Sequence, residues 1–190
     1  AHVTDPYGFI ESLGEEKARF RDARVLLFGA GGAARSVCAA LGKLGVREVI
    51  LHDLDAQKCD ALIELCAALD IPAAHALASL RVDRNDLLAE TPIVINATAV
   101  GMHPHEEQSV VEDVRAVGNN HFFYDLVYNP GVTRFLRLAQ NAGARTQNGL
   151  DMLILQGLQS LRIWSGRPLA LSAAQLNECR TLLQQKLTHG

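Results

Sequence analysis

A doubly wound, parallel α/β sheet is predicted by three features of the 190-residue chain. Short apolar runs alternate with stretches of helical periodicity. A glycine-rich turn, Gly29-Ala30-Gly31-Gly32-Ala33-Ala34, joins the first such run to the first helix. An acid, Asp53, closes the second run. Strands alternating with helices imply β-α-β units with helices on both faces of the sheet.

The elements follow in order. Val25–Phe28 is a first strand, and apolar residues at Ala34, Val37, Cys38, Leu41 and Leu44 give the spacing of a helix that Gly45 stops. Glu48–His52 is a second strand, followed by a helix over Ala56–Leu69 with Pro72 beyond it. A weak third strand is expected near Ala73–Ala76, a fourth at Ile93–Asn96, a fifth at His121–Asp125 and a sixth at Ala144–Gln147. Helices fill the gaps near Asp86–Glu90 and Val132–Ala142. Six strands in this pattern predict a Rossmann sheet of order 3-2-1-4-5-6. The tail departs from the alternation: Gly149–Trp164 and Ser172–Leu187 read as two further helices, giving one domain over 1–190 with extra C-terminal helices over 149–187.

Hydrophobic residues make up 48% and charged residues 21%, the balance of a folded globular chain. A net charge of -3 argues against nucleic acid, which demands a concentrated basic face. No apolar run is long enough for a transmembrane helix, and Ala1–Asp5 has no signal-peptide pattern, so a cytoplasmic protein is expected, with no membrane partner. The missing initiator Met suggests a cut or processed product. Cys38, Cys59, Cys66 and Cys179 form no Cys-x-x-Cys pair and read as reduced thiols, and the histidines and cysteines show no zinc-ligand spacing.

The glycine turn fits G-x-G-x-x-A between a strand and a helix. Gly29 permits the turn, Gly31 leaves its backbone bare for a pyrophosphate, Ala34 lets the helix pack closely, and Gly32 and Ala33 open a helix whose free N–H groups attract phosphate. Asp53 stands where an acid holds the adenosine ribose. Asp53-Leu54-Asp55 offers a 2′-phosphate two carboxylates and no Arg, so NAD is preferred and NADP is the second choice. Lys58, the nearest cation, reads as a solvated helix charge. His75, His103, His105 and His121 are the histidines that invite a general-base role; His103 and His105 read as exposed loop residues near the edge of the cofactor cleft.

Four further segments occur in one series. They are Asn96-Ala97-Thr98-Ala99-Val100-Gly101-Met102, then Tyr124-Asp125-Leu126-Val127-Tyr128-Asn129-Pro130 with Thr133, then Asn148-Gly149-Leu150-Asp151-Met152-Leu153 with Gln156, and at the start Thr4-Asp5 with Gly8-Phe9. With the glycine turn, this series resembles the shikimate/quinate dehydrogenase family, its C-terminal cofactor-binding domain in particular. The resemblance implies an NAD(P)-dependent oxidoreductase that interconverts 3-dehydroshikimate and shikimate, or dehydroquinate and quinate, in a cleft between two domains. It implies that Asp5 pairs with a catalytic Lys, that Gln156 and Tyr128 meet the substrate, and that Gly149, Met152, Thr98, Ala99 and Gly101 line the cofactor. From the residues alone, Asp5 before Pro6 is a helix N-cap, Met152 a core residue and Gln156 a surface amide.

The sequence departs from the family pattern at three points. Val3 stands in place of Asn, and Leu54 replaces the Arg that reads NADP. No residue matches the catalytic Lys, which precedes Asp5 in the family; Lys17 and Lys43 read as surface charges. An absent N-terminal substrate domain is therefore expected, with an inactive isolated chain and an exposed apolar face on the terminal helices that supports a homodimer. The alternative is a non-catalytic dinucleotide-binding sensor or regulatory module. An amino acid or methylene-folate dehydrogenase fits less well, because Tyr128-Asn129-Pro130 and the Gly149–Gln156 segment argue against it.

Overall fold

The computed structural model describes residues 3–71, 74–76 and 84–188. Helices α1 (Asp5–Ser12), α2 (Gly32–Leu44) and α3 (Ala56–Ala68) accompany strands β1 (Arg24–Phe28) and β2 (Glu48–His52). Strand β3 (Ala74–Ala76), helix α4 (Arg84–Glu90) and strands β4 (Ile93–Asn96) and β5 (Phe122–Asp125) come next. Helix α5 (Arg134–Asn141), strand β6 (Arg145–Asn148) and helices α6 (Leu150–Ser165) and α7 (Ala173–Thr188) complete the order. β1, β2, β4, β5 and β6 make the body of a parallel sheet, and the three-residue β3 pairs alongside β2, giving the order β3-β2-β1-β4-β5-β6. Pro72 and Ala73, and the side chain of His75, lie outside the described residues, as do Ala1 and His2.

Strand alternation divides the core. Val25 and Leu27 of β1 face one way, with Val37 and Leu41 of α2 and Leu62 of α3. Leu26 and Phe28 face the other way, with Leu88 of α4 and Phe135 and Leu136 of α5. Successive side chains of a strand point to opposite faces, so strands covered on both sides read as continuous apolar runs. Gly45 ends α2 with φ +69 and donates its N–H to Gly42 and Leu41. Asp55 caps α3, its carboxylate accepting from the N–H groups of Gln57 and Lys58.

The N-terminal segment is more regular than its sequence suggested. α1 begins at Asp5 itself; Thr4 holds the cap position and makes no side-chain cap hydrogen bond. Asp5 is thus not the N-cap, because its side chain turns toward α2 instead. A 3-10 helix, Gly14–Phe20, follows. Phe9 and Phe20 sit under the sheet against Tyr124 and Phe122, with ring centroids 4.9–6.1 Å apart. Tyr124 is fully buried, and its hydroxyl shares a 2.9 Å hydrogen bond with Ser12.

α1 packs against α6 and α2. Gly8 permits the approach: a Cβ there would lie 2.7 Å from the Met152 carbonyl oxygen and 2.9 Å from the Gln156 nitrogen. α7 is tied to the first turn of α6 by Arg180, whose Nε and Nη2 each lie 2.6 Å from the Asp151 carboxylate. Leu161, Ile163 and Trp164 of α6 and Leu182 of α7 are exposed, as is Val3. No helix among the described residues is long and apolar enough to cross a membrane.

His121, expected as the first residue of the fifth strand, immediately precedes β5. It is buried just before β5, where Nδ1 accepts from the Gly118 N–H and Nε2 lies 2.9 Å from the Leu88 carbonyl oxygen. Both ring nitrogens are used in fixing the loop that enters β5, so His121 is a structural residue.

Candidate functional site

The order of the strands reverses between β1 and β4, and the carboxyl ends of these strands open a cleft there. Three joined cavities run along it. The first, about 410 Å³, lies over β1 and β2 and is lined by Phe28, His52, Asp53, Leu54, Val100 and Val110. The second, about 490 Å³, shares Thr98 with it and adds Ala33, Ala99, Met102, Tyr128 and Leu187. The third, about 260 Å³, shares Ala33, Leu126 and Tyr128 with the second and adds Asp5, Gly149, Met152 and Gln156.

The glycine turn has two kinds of glycine. Gly29 adopts φ +99, and a Cβ there would lie 2.9 Å from the Ala97 carbonyl oxygen, so chain geometry requires glycine. Gly31 adopts φ -81, which any residue tolerates, and a Cβ at Gly31 or Gly32 would meet nothing within 4 Å. Packing among the described residues does not explain glycine at these two positions. They leave the N-terminus of α2 bare and facing open space.

Asp53 fixes the turn from the other side. One carboxylate oxygen accepts from the Ala30 N–H at 2.7 Å and the other from the Asp55 N–H at 2.9 Å. A carboxylate has about four acceptor sites, so these two bonds leave capacity for hydroxyl donors. Leu54 is 97% exposed beside it. Lys58 is held 3.2 Å from Asp55, whose carboxylate lies below the ordinary range because of the Lys58 ammonium and the capping N–H bonds.

At the far end, Asp5 receives a 3.3 Å hydrogen bond from Ser36 of α2. Gln156 accepts from Thr4 at 3.1 Å and donates to the Leu153 carbonyl at 3.2 Å. Tyr128 is half-buried, and its hydroxyl has no hydrogen-bond partner among the described residues. Gly149 is obligatory for packing: a Cβ there would lie 2.1 Å from the Leu126 carbonyl oxygen. Met152 is both a cleft residue and a neighbour of the main core.

Gly101 is not among the residues that line the three cavities, though it lies in the segment Ala97–Met102 beside them. With φ +89 it lets the segment after β4 turn, close to Thr133 and the Gln108 carbonyl. Ala30 contributes its N–H to Asp53 rather than a side chain to a cavity. His103 does reach the cleft and pairs with Glu106 at 3.0 Å. Sequence reasoning missed Val110 and Ser109, which lie in a segment with no regular spacing, and Ser36, which reads only as a helix residue. It also missed the joint role of Asn96, Asp125 and Thr133, which it met only as motif letters.

Comparison with known proteins follows the same lines. No family model matches the chain. The chain is 36% identical over 164 residues to the shikimate dehydrogenase (NADP+) of Caldanaerobacter subterraneus subsp. tengcongensis, covering 86% of this chain and 57% of that protein. Among solved structures, quinate dehydrogenase from Corynebacterium glutamicum in complex with NAD superposes with a TM-score of 0.81 at 26% identity, over 97% of this chain and 62% of the other. The ligand-free 5-ketofructose reductase of Gluconobacter sp. strain CHM43 gives 0.82 at 28% identity, over 96% of this chain and 64% of the other. The chain therefore spans somewhat more than half the length of the relatives it matches, and over that part it is similar in sequence to shikimate dehydrogenases and in fold to shikimate and quinate dehydrogenases.

Proposed function

We propose that this chain is the dinucleotide-binding portion of a shikimate- or quinate-type dehydrogenase, and that it prefers NAD. One observation carries the reading. Asp53, Asp5, Tyr128, Gly149, Met152 and Gln156 line cavities joined by shared residues, and the bare turn at Gly31 stands two residues before Ala33, which lines two of them.

A dinucleotide fits this cleft by charge and by shape. The N-terminus of α2 offers free N–H groups to a pyrophosphate, and nothing projects from Gly31 or Gly32 to obstruct it. The first cavity is mostly apolar, suited to an adenine ring, with Asp53 at its edge for ribose hydroxyls. A 2′-phosphate there would meet the Asp53 carboxylate, while Lys58 is already engaged by Asp55. Thr98, Ala99 and Tyr128 flank the nicotinamide end.

When bound, the nicotinamide supplies the two-electron chemistry. The residues of this chain orient the partner molecule. Gln156 and the free hydroxyl of Tyr128 hydrogen-bond a cyclic polyhydroxy acid such as shikimate or quinate. Asp5, steadied by Ser36, orients and charge-balances the Lys that exchanges a proton with the substrate oxygen. That Lys belongs to the part of the family's length that this chain does not span. The exposed face of Leu161, Ile163 and Trp164 receives that part, and a homodimer through the same face is the second arrangement we propose.

Calorimetric titration with NAD and with NADP tests the reading. Saturable binding of NAD, tighter than NADP, supports it. A folded chain that binds neither dinucleotide overturns it.

A further inference from the structure

The nicotinamide-side cavity lies between two backbone segments that leave neighbouring strands. One wall is Ala97–Met102, after β4, and the other is Leu126–Asn129, after β5. Loops leaving adjacent strands have no ladder to hold their separation. In this protein a buried polar cluster lies where a ladder would otherwise continue.

At its centre is Asp125, the last residue of β5, fully buried. One carboxylate oxygen accepts from Asn96 Nδ2 and from the Val127 N–H, each at 3.0 Å. The other accepts from the Thr133 hydroxyl at 2.6 Å. Thr133 Oγ1 also accepts from the Leu136 N–H, which directs its proton to Asp125. Asn96 is fixed in the same way. Its Oδ1 accepts from the Thr98 N–H and hydroxyl, at 3.0 and 2.7 Å, and its Nδ2 also donates to the Val100 carbonyl. Thr98 Oγ1 in turn accepts from the Val100 N–H at 3.1 Å. Every hydrogen bond made to the Asp125 carboxylate is donated by its partner, and the three donors are the last residue of β4, a residue of the β5 wall and the cap of α5.

We propose that Asp125 is the positioning residue of the nicotinamide-side cavity: its carboxylate joins Asn96, Val127 and Thr133 and so sets the separation of the two walls between which the ring of a bound dinucleotide lies. The inference rests on the dinucleotide reading above. Asp125 lines none of the three cavities, so its influence on a ligand passes through Thr98 and Tyr128 rather than by contact. An apolar core residue would also fill the site but would leave Asn96, Val127 and Thr133 without an acceptor, and an amide would offer one acceptor oxygen where the carboxylate offers two.

The test compares NAD with ADP-ribose, which lacks the nicotinamide ring, in the wild-type chain and in Asp125→Asn, Thr133→Val and Thr133→Ser. Amide hydrogen exchange of the ligand-free proteins is read alongside. The expected result is a loss of about tenfold in NAD affinity in Asp125→Asn and Thr133→Val, with ADP-ribose affinity unchanged. Exchange should quicken at Val127 and Thr98 while the β1 amides stay protected. Thr133→Ser, which keeps the hydroxyl, should behave as wild type. If Asp125→Asn fails to fold, the two Thr133 variants carry the comparison. Equal losses for both ligands, or no loss in a folded Thr133→Val, overturn the inference alone. A wild-type chain that binds neither ligand refutes the dinucleotide reading and removes the inference with it.

Discussion

Gly31→Ala separates a glycine kept for a ligand from one kept for the fold. At Gly31 the backbone is extended and no described residue lies within 4 Å of an added Cβ, so the methyl meets no protein atom. Two small effects on stability oppose each other. Replacing Gly by Ala at a compatible backbone angle restricts the unfolded chain and stabilises by about 0.4–1 kcal/mol. Gly31 is also the N-cap of α2, where Gly is better than Ala by up to about 1 kcal/mol. The net change should be within about 1 kcal/mol of zero. Binding should change far more. The methyl occupies the space a pyrophosphate would enter and denies it at least one charge-assisted N–H bond, about 1.5–3 kcal/mol, or roughly 10- to 150-fold in NAD affinity. Gly29→Ala is the contrasting variant: φ +99 and the 2.9 Å approach to the Ala97 carbonyl should cost about 2 kcal/mol or more of stability. Urea unfolding and calorimetry on both variants give the four numbers needed. Gly31→Ala that binds NAD with wild-type affinity would refute the reasoning, since the bare backbone would then serve no phosphate.

Other expectations follow from the same geometry. Asp53→Asn removes the charge opposed to a 2′-phosphate, so the ratio of NADP to NAD affinity should rise by about fivefold or more, an effect on the order of 1 kcal/mol; parallel titrations at low and high salt check it, and an unchanged ratio rejects the electrostatic account. Gly8→Ala sets a methyl against backbone atoms of α6 and should lower stability by about 1–3 kcal/mol, read as a reduced urea midpoint. Burial pushes Asp125 up to about 6, against the pull of its Thr133, Val127 and Asn96 bonds. Its folded value lies above the unfolded value near 3.9, so the native state holds the extra proton between about pH 4 and 6. This group's contribution to stability is therefore fullest below about pH 4 and falls by roughly 3 kcal/mol as pH rises through 6. The difference between wild type and Asp125→Asn in urea midpoints from pH 4.5 to 7 should show that slope; a flat difference contradicts it.

Local signals made much of the fold legible. β1, β2 and β4 are apolar runs covered on both faces, and α2 shows its spacing, its glycine entry and its glycine exit. α1 was harder to see, because Asp5–Ser12 is short and its apolar side, Phe9 with Gly8, is read only once α6 is in place. The structural part played by His121 was not legible, because nothing local reveals that the Leu88 carbonyl and the Gly118 N–H flank it. The cleft divides in the same way. Gly29, Gly31 and Asp53 follow from a strand-turn-helix pattern, and Asp5, Tyr128, Gly149, Met152 and Gln156 from motif order. Ser36, Val110 and the Asn96–Asp125–Thr133 cluster depend on residues distant in sequence meeting in space, which periodicity does not encode.

Several cleft residues also hold the fold together, and this governs which substitutions are informative. Asp53 staples the glycine turn through Ala30 and starts the turn into α3 through Asp55. Gln156 ties α6 to Thr4, and Gly149 lets the start of α6 pass the Leu126 carbonyl. Alanine at Asp53 would leave the Ala30 N–H without its partner, so loss of binding would report a displaced turn as readily as a lost ribose contact. Asparagine keeps the volume and one acceptor oxygen while removing the charge, which isolates the electrostatic part. At Gln156, Glu retains an acceptor for Thr4 but loses the donor to Leu153, whereas Met retains only the volume. If Glu preserves stability and Met does not, the amide's first role is to bind α1 to α6, and a substrate contact at Gln156 uses whatever hydrogen-bonding capacity that role leaves.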